Sequence, residues 1–424
     1  MVVIIGAGLA GLAAALVLQR AGRHCVVLDR LDRPGGLCGA IEWDGLEYSI
    51  GCNDFGEGLV TRSRALGVQA DFRRVGSRFV VATRGRERSY ELPLRFGSAA
   101  SWLRRVPELL RLARALHRPD PAVTTLGEAL SAIGASDELR SLGGLLGYPI
   151  GTPPAQLALD LLRAEMSREL GYRSDRSYVA EGGPQRLADA LASRLRQLGG
   201  ELRLSTEVRA HERDADGFIV RSSQGELRAT QLITSEAPAN VVPEGSLPGL
   251  EVATLRLRLR ADAPLPKGLH TLAWIPDDAD AWLGALHAGQ QPERAGFHLF
   301  PCETAEHDNA LAANLLFFAA PGASDAQLSA RSEAILAGLG RLVPGIERSI
   351  DAHELVTPRG AIAGCGLSSR VIPFIVPPGW VKPDVFDAAS GLYHVGNRVG
   401  PPGDHAGSAW LSGEWAAQRI LAED

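Results

Sequence analysis

The 424-residue sequence lacks the signals that mark membrane and secreted proteins. It has no run of about 18 apolar residues, so a membrane-spanning helix is not expected. The chain opens on an apolar run without a basic segment before it, so no secretory leader is expected. A cytoplasmic location is therefore predicted.

The spacing of the cysteines excludes two further classes of protein. The five cysteines include no C-x-x-C pair, which argues against a disulfide framework and against a cysteine-rich zinc site. Cys302, His307 and Asp308 lie close together in the sequence but lack the spacing that defines a zinc site. No metal is predicted.

Lysine is almost missing. Lys267 and Lys382 are the only lysines, and the other 42 of the 44 basic residues are arginine. We interpret this imbalance as codon bias without functional weight. The net charge of −5 shows no basic bias, so nucleic acid is not an expected partner.

The first 30 residues follow the plan of a dinucleotide-binding unit. Residues 2–5 form an apolar, β-branched run that is typical of a buried parallel strand. A G-x-G-x-x-G turn and an apolar helical stretch come next, and residues 25–28 predict a second buried strand that ends at Asp29. The glycines of the turn are Gly6, Gly8 and Gly11.

Each part of this unit has a physical role in holding a dinucleotide. Gly6 permits the tight turn, Gly8 lets the backbone approach a pyrophosphate, and Gly11 lets helix and strand pack closely. The N-terminus of the helix offers free N–H groups and a positive dipole end to the phosphates. Asp29 can accept hydrogen bonds from both ribose hydroxyls of an adenosine. These residues alone leave NAD and FAD open.

Three further segments decide between the two cofactors. Arg33-Pro34-Gly35-Gly36 follows Asp29, residues 391–397 are GLYHVGN, and residues 405–413 are HAGSAWLSG. They resemble the R-x-G-G segment, the G-L-Y-x-x-G-D strand and the start of the final helix of the amine oxidase and phytoene desaturase superfamily. The resemblance implies FAD, because NAD dehydrogenases lack the segment near the C-terminus.

The resemblance implies a set of cofactor-binding residues, with three departures from the family pattern. Asp29 stands where the family most often has Glu, and Asn397 stands where the family has the acid that binds the ribitol chain. Ser408 replaces a usual glycine, with Gly407 one place early. The implied residues are Gly6, Gly8, Leu9, Ala10, Gly11, Asp29, Arg30, Gly35, Gly36, Leu37, Val208, Gly396, Asn397, Ala406, Gly407 and Ser408.

The length of the chain favours two lobes over one compact domain. The resemblance implies an α/β fold in which a Rossmann-like FAD-binding domain of the glutathione-reductase type is interleaved with an α+β substrate-binding domain. The predicted FAD-binding segments are 1–95, 181–240 and 346–424. The substrate-binding or cap segments are 96–180 and 241–345, and residues 253–260 alternate between apolar and mostly cationic positions as a half-buried strand does.

The predicted activity is that of an FAD-dependent oxidoreductase. It would dehydrogenate a small organic or hydrophobic substrate at a C–N or C–C bond by hydride transfer to flavin N5, with oxygen or an electron carrier as the acceptor. No second G-x-G-x-x-G occurs, so no separate NAD(P)H domain is indicated. A redox-neutral flavin isomerase and a non-catalytic escort protein of the same fold remain alternatives.

Candidate catalytic residues come from the flavin-facing segments. His405 could shuttle a proton or contact the substrate, and its alternative role is that of a helix cap. Asn53 and Asp54 follow a segment that resembles the one under the flavin of the family. Arg370 is a weaker candidate. Cys365 could form a flavin thioether, but a small packed cysteine is the preferred interpretation.

The expected partner is a small-molecule substrate, and no oligomeric state is predicted. Residues 102–114 form a basic amphipathic stretch that could sit on a membrane surface, but a cap helix with a solvated arginine face is the preferred interpretation.

Overall fold

The computed structural model describes residues 1–92, 106–117, 120–238, 241–265, 269–302, 310–365 and 371–423. Strands and helices are numbered in chain order over these residues. The strands are β1 Val2–Ile5, β2 Cys25–Leu28, β3 Ala40–Trp43, β4 Leu46–Ser49, β5 Phe55–Gly56, β6 Phe72–Arg74, β7 Gly76–Thr83, β8 Arg86–Leu92, β9 Ser177–Ala180, β10 Glu201–Arg203, β11 Val208–Asp214, β12 Gly217–Ser222, β13 Gly225–Ala229, β14 Gln231–Thr234, β15 Glu251–Arg260, β16 Leu269–Ile275, β17 Phe297–Pro301, β18 Ala310–Ala319, β19 Ile350–Val356, β20 Phe386–Asp387 and β21 Leu392–His394. The helices are α1 Leu9–Arg20, α2 Glu57–Ala65, α3 Val106–His117, α4 Leu126–Ala132, α5 Asp137–Gly147, α6 Leu159–Glu165, α7 Pro184–Gln197, α8 Ala279–His287, α9 Asp325–Leu342, α10 Pro358–Cys365 and α11 Ala406–Ala422.

A six-stranded sheet with the order β10-β2-β1-β14-β21-β20 carries the N-terminal motif. The first five strands run parallel, and β20 at the edge runs antiparallel to β21. Ile5 pairs with both Leu28 and Thr234, so β1, β2 and β14 end level with one another. The apolar, β-branched sequences of these strands suit a sheet covered on both faces.

Helices α1, α7 and α11 pack together against this sheet. A Cβ on Gly11 would overlap the Gly6 carbonyl oxygen, which is the close packing that the glycine motif predicts. A Cβ on Gly413 would likewise overlap the backbone of Ala10. Gly11 therefore lets α1 lie close to the turn after β1, and Gly413 lets α11, from the far end of the chain, lie directly against α1.

A seven-stranded sheet with the order β19-β15-β18-β17-β16-β7-β8 forms the second body of strands. Its neighbours are antiparallel except for the parallel pair β16 and β7. Leu255, Leu257 and Leu259 of β15 are buried on the face that packs against α9, while Arg256 and Arg258 lie on the other face. The alternation predicted for residues 253–260 is confirmed.

Helices α3 to α6 form a small helical layer around leucines of the cap segment. Helix α3 covers residues 106–114 of the predicted amphipathic stretch, and residues 102–105 lie outside the described residues. Among the helices that the structure describes, none combines the length and apolarity that crossing a bilayer requires.

The α/β fold with a Rossmann-like sheet is confirmed. The sheet in which some strands lie differs from the predicted segment boundaries at two places. Strands β7 and β8 lie in the seven-stranded sheet, although residues up to 95 are predicted in the FAD-binding part. Strand β19 also lies there, although residues from 346 onward are predicted in the FAD-binding part. These pairings join residues far apart in the chain, which local patterns do not encode. The division into two domains itself stays a prediction.

Candidate functional site

Loops that follow four parallel strands meet at one edge of the six-stranded sheet. Strands β1, β2, β14 and β21 end there, and Gly6, Asp29, Ser235 and Gly396 lie just beyond those ends. A Cβ on Gly6 would overlap the Ser235 hydroxyl, and Gly6 N donates to Leu28 O at 2.8 Å. In open α/β sheets ligands bind outside the carboxyl ends of the strands, so this edge is the candidate site.

The glycine turn leaves room for an anion at the start of α1. Gly8 is the N-cap residue, with extended backbone angles, and no side chain in the described part of the chain caps this helix. A Cβ on Gly8 would meet only the Gly35 carbonyl oxygen, at 4.0 Å. The first-turn N–H groups and the helix dipole therefore suit a phosphate.

The second glycine pair lies against the first turn. Gly35 N donates to Ala7 O at 2.8 Å, and Gly8 forms a parallel β-bridge with Gly35. Gly36 has a φ of +58°, in the left-handed region that favours glycine, and a Cβ there would stand 3.4 Å from Gly8 Cα. Two distant glycine segments thus line one crevice.

Asp29 fixes the shape of the first turn. Its Oδ2 accepts a hydrogen bond from Ala7 N at 2.6 Å, and its Oδ1 accepts one from Leu31 N at 2.8 Å. A carboxylate offers about four lone-pair sites, so each oxygen can still accept a second hydrogen bond. Asp29 can therefore organise the backbone and bind a ribose together.

The other predicted residues of the N-terminal half lie around Asp29 and Gly36. Val208 begins β11, two residues after Thr206, whose N–H donates to Asp29 O at 2.7 Å. Arg30 is exposed beside Asp29, and Leu37 has 41% of its surface exposed beside Gly36. Leu9 and Ala10 are buried in the first turn of α1 and contribute their backbone to the crevice.

At the other end of the crevice, His405 caps α11. Its Nδ1 accepts hydrogen bonds from Gly407 N at 3.0 Å and from Ser408 N at 3.3 Å. Because Nδ1 accepts, Nε2 carries the proton and donates to Glu165 Oε2 at 2.7 Å. The structure thus matches the capping role left open above, and the proposed proton transfer by His405 stays a prediction.

Capping and catalysis by His405 predict different mutant phenotypes. His405→Ala is expected to lower the free energy of unfolding by about 0.5–2 kcal/mol, the usual cost of a lost N-cap. His405→Asn restores an acceptor at the cap, so denaturant titration should give a stability near that of the wild type. A normally stable His405→Asn protein whose flavin is no longer reduced by substrate would contradict a purely capping role.

Lys382 and Glu165 are site residues that the sequence interpretation missed. Lys382 Nζ donates to Asn397 O at 2.7 Å, to Gly403 O at 2.5 Å and to Asp404 Oδ1 at 3.1 Å. Its side chain is 5% exposed. The Asn397 side chain accepts from Ser408 Oγ at 3.0 Å. The rarity of lysine in this arginine-rich chain was the available signal, and codon bias alone does not account for this lysine.

Asn53 and Asp54 lie where the β3–β4 hairpin meets the seven-stranded sheet. Asn53 Oδ1 accepts from Ser49 Oγ at 2.7 Å, and Asn314 Nδ2 donates to Ser49 O at 2.8 Å. A cavity of about 10 Å³, the size of one water, is lined in part by Ser49, Asn53, His270 and Cys302. Asn53 therefore contacts a polar cluster between the β3–β4 hairpin and the seven-stranded sheet, and Asp54 is half-buried beside it.

Several weaker candidates cannot be placed. Arg370, His307 and Asp308 lie outside the described residues, and so does the side chain of Cys365. In the ranges given above, no group of three or more histidine, cysteine or acidic residues is arranged to hold a metal ion.

The geometry of this edge fits FAD. The open first turn of α1 and the space at Gly8 suit a pyrophosphate, and the Asp29 carboxylate suits the adenosine ribose. The 397–405 segment and the N-terminus of α11 border the same edge, where the family resemblance implies the flavin.

Comparison with known proteins agrees with this geometry. Residues 9–242 match the family of flavin containing amine oxidoreductases. The putative flavin-containing monoamine oxidase AofH of Mycobacterium tuberculosis H37Rv is 28% identical over 300 residues, which cover 64% of this chain and 61% of that protein. The phytoene desaturase (neurosporene-forming) of Rhodobacter capsulatus is 27% identical over 281 residues, covering 56% of this chain and 52% of that protein.

The alignments span only about three fifths of the monoamine oxidase and half of the desaturase. Among solved structures, a triple variant of putrescine oxidase superimposes with a TM-score of 0.68 at 17% identity, covering 100% of this chain and 99% of the other. At this identity the likeness establishes the fold alone.

Proposed function

Because the chain belongs to the family of flavin-containing amine oxidoreductases, we propose that it dehydrogenates a small organic or hydrophobic substrate. FAD is its cofactor, as the sequence predicts. When bound, FAD would supply a hydride acceptor at N5: a C–H bond of the substrate would give up a hydride and the adjacent N–H or C–H a proton, so that a C–N or C–C bond becomes a double bond, and oxygen or an electron carrier would reoxidise the flavin.

One observation carries the proposal. One crevice at the carboxyl edge of the six-stranded sheet brings together four elements, which are the glycine turn, the Gly35–Gly36 pair, Asp29 and the start of α11. The β3–β4 hairpin connects the seven-stranded sheet to this region, because Asn314 donates to Ser49 O at 2.8 Å and Cys52 N donates to Leu37 O at 3.1 Å, next to Gly36. A substrate at the crevice would be shielded from water on the side of this hairpin and sheet, which favours transfer of a hydride over side reactions.

The purified protein is expected to be yellow and to show the absorption bands of oxidised flavin. Anaerobic mixing with a panel of primary amines and polyenes, starting with putrescine and phytoene, should bleach these bands for at least one compound. Stopped-flow absorbance measures the bleaching, and readmitted oxygen or an artificial acceptor measures reoxidation.

The outcomes separate the proposal from its alternatives. A substrate that is converted while the flavin returns to its oxidised state would indicate a redox-neutral isomerase. A colourless protein that takes up no added FAD would contradict the cofactor assignment and favour an escort-like role. The names of the relatives, a monoamine oxidase and a phytoene desaturase, make amines and polyenes the first compounds to test.

The proposed partner is the small-molecule substrate, without nucleic acid. The amphipathic helix α3 has Leu110 at 64% exposure, and this residue offers an apolar contact for a membrane surface. We nevertheless propose that α3 belongs to the cap around the substrate, because its Leu109, Leu112 and Leu116 pack into the helical layer.

A further inference from the structure

The buried ammonium of Lys382 joins the two ends of a loop that borders the flavin crevice. This loop, residues 397–404, connects the end of the β21 segment to His405 at the start of α11. Nζ donates to a backbone oxygen at its beginning, Asn397 O, and to two oxygens at its end, Gly403 O and Asp404 Oδ1. One side chain therefore ties the two ends of the loop together.

Neighbouring residues hold the same loop through other hydrogen bonds. Gly400 N donates to Pro383 O at 2.8 Å, and the Tyr172 hydroxyl donates to Pro402 O. Ser408 Oγ donates to Asn397 Oδ1 at 3.0 Å. In the described part of the chain, Lys382 is the side chain that bridges the beginning of the loop to Gly403 and Asp404.

The chemistry of this site requires lysine. An ammonium is a compact charge whose three N–H groups point to three separate acceptors, whereas a guanidinium is a planar fork suited to bidentate partners. The three acceptors of Lys382 surround one atom in a site where the side chain is 5% exposed. In a chain that uses arginine 42 times, lysine at this position fits the geometry rather than the general composition.

Burying the ion pair of Lys382 and Asp404 costs free energy, and this cost argues against a mainly stabilising role for the pair. The side chains of Lys382 and Asp404 are 5% and 6% exposed. Burial lowers the pKa of Lys382, and the Asp404 carboxylate acts in the opposite direction. Because a buried pair contributes little net stability, its value here lies in the single loop conformation that it selects.

We propose that Lys382 is a positioning residue for FAD, which holds the 397–404 loop in the one conformation that accepts the flavin end of the cofactor. The inference rests on FAD binding and not on the dehydrogenation proposed above. Without the ammonium, the loop would sample other conformations. A binding-competent fraction of about 1–10% would weaken the apparent affinity for FAD about 10- to 100-fold.

The test measures FAD affinity and stability separately. Lys382→Met, Lys382→Arg and wild-type proteins are stripped of FAD and titrated with FAD by flavin fluorescence, while denaturant titration of the apo proteins gives their stability. Both variants are expected to bind FAD about 10- to 100-fold more weakly, because arginine cannot reproduce three convergent hydrogen bonds. The circular dichroism of the bound flavin should change as well.

Two further variants separate positioning from folding. Lys382→Met leaves the Asp404 carboxylate buried and unpaired, so the double variant Lys382→Met/Asp404→Asn removes that cost and should recover apo stability while FAD binding stays weak. Arg256→Met is the matched control, because Arg256 is 14% exposed and pairs with Glu354 at 2.8 Å in the seven-stranded sheet. It should lose stability without losing FAD.

Wild-type FAD affinity in the double variant, or full rescue by Lys382→Arg, would overturn the proposal and leave Lys382 a purely structural role. Neither result depends on a substrate. Failure of the dehydrogenation proposal would appear instead as an FAD-loaded wild-type protein that no compound reduces.

Discussion

Gly8→Ala is expected to leave the fold intact and to abolish most FAD binding. The new Cβ would meet only the Gly35 carbonyl oxygen, at 4.0 Å, and the backbone of Gly8 is in a region open to any residue. The methyl group would instead stand where the pyrophosphate approaches the backbone. Loss of two charge-assisted hydrogen bonds, at about 1.5–3 kcal/mol each, weakens FAD binding by about two to four powers of ten.

Fluorescence titration of the apo protein measures this loss, and thermal unfolding checks the fold. Gly284→Ala is the control, because Gly284 lies within α8 and its added Cβ would meet nothing within 4 Å. Unchanged FAD affinity in Gly8→Ala would place the pyrophosphate elsewhere. Gly11→Ala is unsuitable for this test, since its Cβ would overlap the Gly6 carbonyl oxygen and disturb the packing itself.

Asp29→Ala is expected to lose FAD affinity and stability together. Without the carboxylate, FAD binding should weaken by about two to four powers of ten, because two charge-assisted hydrogen bonds to the ribose are lost at about 1.5–3 kcal/mol each. The backbone N–H groups of Ala7 and Leu31 lose their acceptors as well. Because these two N–H groups would then lack a hydrogen-bond partner, the free energy of unfolding should fall by about 1–3 kcal/mol. Asp29→Glu keeps a carboxylate at this position and should retain FAD.

Asp387→Ala provides the matched control for Asp29. The Asp387 carboxylate also anchors the backbone, accepting from Ala389 N at 3.0 Å, and it lies at the end of β20. Because β20 runs antiparallel to β21, that end points away from the crevice. Asp387→Ala should lose stability but keep the wild-type dissociation constant for FAD. If Asp29→Ala also kept that constant, Asp29 would be a structural residue alone.

Local patterns predicted the parts of the site that are close in sequence. The strand, glycine turn, helix, strand and Asp29 follow one another within 30 residues, so spacing and residue type sufficed. The resemblance near the C-terminus correctly indicated that α11 begins after His405. The sequence did not predict that the Asp29 carboxylate accepts hydrogen bonds from Ala7 N and Leu31 N, because these bonds depend on how the turn folds back on its own strand.

Long-range contacts account for what the sequence interpretation missed. Lys382 binds two backbone oxygens and one carboxylate, and backbone oxygens leave no trace in a sequence. Glu165 reaches His405 from 240 residues away. The membership of β7, β8 and β19 in the second sheet likewise follows from pairing with distant strands, for which alternation and propensity carry no information.

The direct packing of α11 on α1, through Gly413 and Ala10, has a consequence for how the protein is made. A ribosome adds about 5–20 residues per second, so α1 exists for roughly 20–80 s before α11 leaves the ribosome. During that time α11 does not yet pack on the apolar face of α1, and the side of the cofactor crevice that α11 forms is absent. The crevice for FAD is therefore complete only after the last helix has been synthesised, so FAD is expected to bind late, once the whole chain is available.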